Sequence, residues 1–186
     1  EINDLETVKT ILLWGPDLKE ELPVLYLRVR RAATELGANL VIFHPRRTGL
    51  DGVATHTFQY KPGTGPDVLR KLVAGDGEYA EARRTLGEGP VLALVGRTGL
   101  TEDPDLAEAV AAFALDLPDA RIMPLMRRGN VFGALDMGVT PALLPGRVAI
   151  DDEAGRTALE EHWGPLPDGA GLDTTGILEG LASGQL

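Results

Sequence analysis

The chain has 186 residues, room for one domain or for one and part of a second. Its net charge of −10 argues against a nucleic-acid partner, because phosphate backbones call for clustered Lys and Arg. The absence of Cys excludes disulfides, thiolate nucleophiles, Fe–S ligation and Cys-type zinc sites within it, and fits a cytosolic origin.

Thr10 to Trp14 (TILLW) is an apolar run closed by Gly15-Pro16 and reads as a buried strand. Asp17 is a candidate cap, and Pro23 suits the first turn of a helix. Leu22, Leu25, Tyr26, Val29, Ala33 and Leu36 then recur at helical spacing until Gly37. Asn39 to Phe43 is a second buried strand, completing a strand–helix–strand unit expected to be parallel and right-handed. Val53 to Gln59 is a candidate short strand; Pro66 to Val73 and Glu78 to Leu86 read as helices. Pro90 to Val95 is a further strand. Thr101 or Asp103 would cap a helix over Pro104 to Leu115, which carries Asp105 and Glu108 near its positive end. Ala120 to Leu125 is a fourth strand, with Pro124 marking its end or a sheet edge.

Arg127 to Gly138 is Gly-rich, then partly helical. From Val139 the chain becomes loop-rich around Pro141, Pro145, Pro165 and Pro167, with helices expected over Glu153 to Trp163 and Leu172 to Ser183, the latter capped by Asp173. The alternation of strands and helices predicts an α/β three-layer, Rossmann-like, mostly parallel sheet over residues 1–138. Residues 139–186 form a tail expected to pack on the same domain. No apolar run approaches the roughly 20 residues of a membrane-spanning helix, so direct membrane insertion is not expected. The chain opens on Glu and stops after a helical pattern, so both ends read as cut from a longer protein.

Nucleophiles are scarce. Ser183 is the only Ser, which leaves no Ser- or Cys-based triad. His44, His56 and His162 lack metal-ligand spacing. The carboxylate clusters at Glu20-Glu21, Asp151-Asp152-Glu153 and Glu160-Glu161 read as solvated surface. Gly75, Gly77 and Ala80 fit G-x-G-x-x-A but follow a helix rather than a strand, so they read as a helix–helix turn. The remaining candidates are loops after strands, where open parallel sheets bind ligands. These are Gly15 and Asp17; His44, Arg46, Arg47 and Thr48; Gly63 and Thr64; and Arg97 and Thr98. Their Arg and Thr side chains suit phosphate or carboxylate, or they are ordinary βα loops. Asn130, in a Gly-Asn turn before a helix, presents backbone N–H groups to an anion or is a plain N-cap.

The loops resemble a known family. Gly15-Pro16-Asp17 followed by Glu21, Pro23-Val24, Arg28 and Arg30, then His44-Pro45-Arg46-Arg47-Thr48, then Lys61-Pro62-Gly63-Thr64-Gly65, is similar to the nucleotide-binding domain of the molybdopterin oxidoreductase superfamily. That resemblance implies dinucleotide-cradling loops. His44 replaces the family's usual acid before Pro-Arg, and Lys61 and Gly65 replace its Arg and Asp, so acceptors for guanine or pterin N–H groups are missing. Arg127 to Arg147 (RRGNVFGALDMGVTPALLPGR), with the preceding GRTGLTEDPDLAEAVAAFA, resembles one branch of the superfamily, the large Fe–S subunit (the G-subunit) of bacterial NADH:quinone oxidoreductase, respiratory complex I.

The resemblance implies a vestigial, non-catalytic domain inside an oxidoreductase, without catalytic or metal residues of its own. It implies Fe–S clusters in an N-terminal part of the parent and loss of the molybdopterin guanine dinucleotide. It also implies other peripheral-arm subunits as partners, at the cytoplasmic face of the membrane. Two alternatives stay open: a cofactor-binding fragment of an active formate dehydrogenase-like enzyme, and a free Rossmann-like binding module such as the central domain of a thiamine-diphosphate enzyme.

Overall fold

The computed structural model describes residues 2–99 and 102–186. Thr101, one of the two caps expected for the helix near Pro104, lies outside the described residues. The chain divides into two compact units, Glu1–Arg127 and Arg128–Leu186. The change of composition at Val139 therefore falls inside the second unit.

Unit 1 is built on a five-stranded sheet. A 3-10 turn at Ile2–Glu6 leads into β1 (Thr10–Trp14), α1 (Leu18–Glu21) and α2 (Pro23–Glu35). β2 (Asn39–His44), β3 (His56–Gln59), α3 (Gly65–Ala74) and α4 (Ala80–Leu86) follow, then β4 (Val91–Val95), α5 (Leu106–Leu115) and β5 (Arg121–Pro124). The strand order is β3-β2-β1-β4-β5, and all four pairings are parallel. This is the expected α/β, Rossmann-like architecture.

Parallel strands covered on both faces read as continuous apolar runs, and β1 and β4 are buried at every position. Alternate side chains serve opposite cores. Leu12, Trp14, Val41, Phe43, Val91 and Ala93 meet α3, α4 and α5 through Leu72, Leu86 and Val110. Ile11, Leu13, Leu40, Ile42, Leu92 and Leu94 meet α2 through Leu25, Val29 and Ala32. The α2 stripe differs from expectation at one end: Leu36 is the C-cap residue and is exposed, because the helix has already stopped there.

The boundaries of α4 and α5 also differ from expectation. The segment near Glu78 opens as a 3-10 turn, Gly77–Tyr79, before α4 proper. Gly75 adopts φ +67° as the left-handed end of α3, which makes the glycine pattern there a turn between helices. α5 starts at Leu106 rather than Pro104, and the Asp103 carboxyl accepts the Asp105 N–H at 2.9 Å just before it. β5 ends at Pro124 on the sheet edge, where a residue without an N–H is tolerated.

Unit 2 contains α6 (Val131–Asp136), a two-residue antiparallel pair of β6 (Leu143–Leu144) and β7 (Val148–Ala149), α7 (Glu153–Trp163) and α8 (Thr174–Ser183). The turn between β6 and β7 carries Gly146 at φ +80° and Arg147 at φ +59°. Arg147 is held there by Asp136 at 2.6 Å, with its guanidinium over the Phe132 ring. Asp152 caps α7 by accepting N–H groups from Ala154 and Gly155, and Asp173 caps α8 by accepting from Gly176.

Candidate functional site

In an open parallel sheet the ligand crevice lies beyond the carboxyl ends of the strands, at the point where strand order reverses. Here that point lies between β1 and β4. The candidate ligand residues of unit 1 lie in the loops following β1, β2, β3 and β4, except His44, which is the last residue of β2. A cleft of about 270 Å³ is lined by His44, Pro45, Arg46, Pro62, Thr98, Gly99 and Glu102.

The glycines after β1 and β4 serve close packing. A Cβ on Gly15 would fall 2.6 Å from Leu125 Cδ1 and 3.2 Å from the Gly96 nitrogen; one on Gly96 would fall 2.9 Å from Leu125 Cβ. The Gly96 N–H donates to the Trp14 carbonyl at 2.9 Å, which extends the β1–β4 ladder past its end. Asp17 is buried and caps α1, accepting the Lys19 N–H at 3.1 Å, while Arg46 Nη2 lies 4.0 Å from its other oxygen.

The loop after β2 is organised by its own side chains. His44 is buried, and its Nδ1 lies 3.1 Å from the Arg46 nitrogen and 3.0 Å from the Arg46 carbonyl. An unprotonated Nδ1 accepts the N–H; a protonated one would donate to the carbonyl. Burial outweighs the carbonyl and the nearby Asp17 and Asp51, and lowers the His44 pKa. Thr48 donates its hydroxyl to Asp51 at 2.6 Å, and its N–H reaches the same oxygen at 3.1 Å. Arg46 and Arg47 extend into solvent.

After β3, Gly63 takes φ +82° and Thr64 donates both its hydroxyl (2.7 Å) and its N–H (3.0 Å) to the Lys61 carbonyl. This closes a tight turn into α3. After β4, Arg97 is exposed, and Thr98 donates to Glu102 Oε2 at 2.9 Å. Asn130 belongs to unit 2. It occupies the N-cap position of α6 without a side-chain cap hydrogen bond, on a helix of six residues.

The structure adds three residues that the motifs did not single out: Trp14, Tyr60 and Glu102. Trp14 Nε1 donates to the Tyr60 hydroxyl at 3.0 Å, and that hydroxyl donates to Glu102 Oε2 at 2.8 Å. Glu102 is 5% exposed, and its Oε1 has no hydrogen-bond partner among the described residues. Burial, with the Glu102 carboxyl against it, holds the Tyr60 phenol well above its ordinary pKa, so it remains a donor. The rings behind this chain stack continuously, with Trp14 on Phe43 at 4.4 Å and Phe43 on Phe58 at 4.9 Å. The one sequence signal for this network was an aromatic at the end of an apolar strand with a second at a strand's edge. Glu102 gave no signal, because Tyr60, which ties it to Trp14, lies 42 positions away in the sequence. No group of three His, Cys, Asp or Glu among the described residues is placed to hold a metal ion.

No family model matches the chain. Individual proteins do. The G-subunit of NADH-quinone oxidoreductase from Mycobacterium tuberculosis is 32% identical over 186 residues, covering 98% of this chain and 22% of that protein. The chain is homologous to that part of the G-subunit. The Streptomyces coelicolor G-subunit is likewise 32% identical, over 191 residues, covering 98% of this chain and 22% of its own length. A putative formate dehydrogenase of Bacillus subtilis, YrhE, is 34% identical over 115 residues, covering 59% of this chain and 12% of that protein. The chain spans about a fifth of the length of the G-subunit relatives it matches. Among the described residues no helix is long and apolar enough to cross a membrane.

Proposed function

We propose that this chain is a non-catalytic, structural domain of a protein of the G-subunit type, supporting NADH-to-quinone electron transfer carried out by Fe–S clusters held elsewhere in the parent. On this reading its partners are other peripheral-arm subunits of complex I, and it sits with them at the cytoplasmic face of the membrane. The observation that carries the reading is that the polar groups of the strand-end loops are used inside the chain. Thr48 is bound to Asp51, Thr64 to the Lys61 carbonyl, Thr98 to Glu102 and Asp17 to the Lys19 N–H. A working nucleotide site holds such groups ready for the ligand, since each one diverted must be recovered on binding.

The same reading holds that molybdopterin guanine dinucleotide has been lost. The residues present do not fit that group. The acids that would accept guanine or pterin N–H groups are His44 and Gly65 here, and space beside Gly65 is filled by Leu106 and Glu102. What remains is a rigid sheet with large buried faces, suited to packing beside an electron path rather than lying on it.

The test is Arg46→Ala in the assembled parent complex. NADH-to-quinone activity per assembled complex is expected to stay near the wild-type value, because Arg46 is exposed and its ion pair with Asp17 is long. A large loss of activity in complexes that still assemble would overturn the reading. Affinity capture of the tagged parent from solubilised membranes is expected to bring NADH-binding and quinone-module subunits with it. A second reading, a cofactor-binding piece of a formate dehydrogenase-like enzyme, is favoured by the Bacillus subtilis match over 59% of the chain. It predicts instead recovery of a protein carrying molybdenum and pterin, with guanine nucleotide held at Arg46, Thr48 and Thr64.

A further inference from the structure

The helix α8 is held by its own flanks. Asp173 accepts the Gly176 N–H at one end, and at the other Gly184 takes the left-handed conformation and donates to the Gly180 and Leu181 carbonyls. No other helix or strand of unit 2 packs closely on it. Its small-residue side is covered by the same flanks: a Cβ on Gly180 would fall 2.8 Å from Leu186 Cδ1, and one on Gly176 would fall 3.2 Å from Leu172 Cδ2. The apolar side is turned away from them. Ile177, Leu178 and Leu181 share one stripe of the helix and are 44%, 61% and 58% exposed. A helix of ten residues is marginal in water by itself, and in proteins most helical stability comes from burying such a stripe.

We propose that the stripe of Ile177, Leu178 and Leu181 docks on another part of the same parent polypeptide, the apolar face of a second helix that carries Leu, Ile or Val at i, i+3 or i+4. This rests on the reading of the chain as a domain of a G-subunit-type protein. The chain covers 22% of both G-subunit relatives, so a protein of that type has about four-fifths of its length outside the matched region. The size of the stripe selects a tethered occupant. Three side chains already partly covered fall well short of the roughly 800 Å² that each partner buries in a stable complex of separate molecules. A segment of the same polypeptide is presented at a high effective concentration, so a small patch is enough to hold it. A second copy is disfavoured further, because two chains of net charge −10 repel each other.

The experiment is site-specific photo-cross-linking in the full-length parent, purified without other subunits. A benzophenone amino acid replaces Leu178 or Leu181 on the stripe, or Glu179 off the stripe as the control, and mass spectrometry identifies the joined peptides. Cross-links from Leu178 and Leu181 are expected to reach a peptide outside these 186 residues of the same polypeptide, with a yield about tenfold above that from Glu179. A joined peptide from inside the 186 residues, a cross-linked dimer, or a yield no higher than from Glu179 would overturn the proposal. Amide exchange of the unaltered parent checks the contact without a bulky probe. The α8 amides are expected to exchange about a hundredfold more slowly than in a peptide of residues 173–184, and exchange at the peptide's rate would overturn the proposal as well.

The same three proteins, irradiated within the assembled complex, separate this contact from the reading it rests on. Cross-links that form only there, and to a different subunit, overturn the docking and leave the non-catalytic reading standing. Molybdenum and pterin in a parent that cross-links within itself overturn that reading and leave the docking standing.

Discussion

Tyr60→Phe removes one oxygen atom and keeps the ring, so it isolates the polar chain that joins Trp14 to Glu102. Two buried groups each lose a hydrogen bond at once. Trp14 Nε1, on a side chain 1% exposed, is left without its 3.0 Å acceptor, and Glu102 Oε2 keeps only the Thr98 donor. A hydrogen bond to a charged group contributes about 1.5–3 kcal/mol, and a buried donor left unsatisfied costs about 1–3 kcal/mol. Phe regains part of this by burying no hydroxyl, so a net loss of about 2–4 kcal/mol is expected. Unit 1 has 127 residues, and at ~2.1 cal/mol/K per residue its unfolding entropy is about 0.27 kcal/mol/K. The melting temperature should therefore fall by roughly 7–15 °C. Near-ultraviolet circular dichroism reads the transition directly, since Trp14 sits on Phe43. A fall of less than ~3 °C, with the Trp14 signal intact, would refute the reasoning: the hydroxyl would then be exchanging hydrogen bonds with water rather than holding Glu102.

Other perturbations test other parts of the fold. The lowered pKa of His44 means that the unfolded chain takes up its proton first as pH falls through 6.5, the ordinary His value, so stability should decline there and toward the folded value. His44→Gln should flatten the stability–pH curve across that window, as read by urea melts at a series of pH values; an unchanged slope would contradict the assignment. Leu72→Ala, at a side chain fully buried between α3 and the sheet, is expected to cost about 2–5 kcal/mol in a urea melt. Asp152→Ala removes the acceptor for two N–H groups of α7 and should cost that helix about 0.5–2 kcal/mol, seen as faster amide exchange at Ala154 and Gly155.

Several parts of the molecule were legible in order along the chain because they depend on local physics. An apolar run with no alternation, such as Thr10–Trp14 or Val91–Val95, can be satisfied only between two covered faces, which makes it a central parallel strand. Pro124 can sit only where no N–H is needed, so a strand end or a sheet edge was legible in it, and β5 has it at both. Asp173 before an apolar stretch and Gly37 after one are read from capping chemistry alone. The strand-end loops were legible for the same reason, since Gly, Pro and Thr clusters interrupt the runs.

What those loops do with their side chains depended on tertiary structure. Thr48, Thr64 and Thr98 look alike as candidate ligands in the sequence. Folding directs the first two to neighbours within three residues and the third to Glu102. The network of Trp14, Tyr60 and Glu102 joins residues up to 46 positions apart, and no periodicity or spacing rule reaches that far. Gly65 shows the limit most sharply. By itself it reads as a turn glycine or a lost acid, and only the approach of Leu106 and Glu102 from the loop beyond β4 reveals that its missing side chain is the space they fill. Local patterns decide which segments become strands and helices, because those choices are made over a few residues. Which polar group meets which is decided by the sheet, because parallel strand order β3-β2-β1-β4-β5 brings to one edge loops that are far apart in the chain.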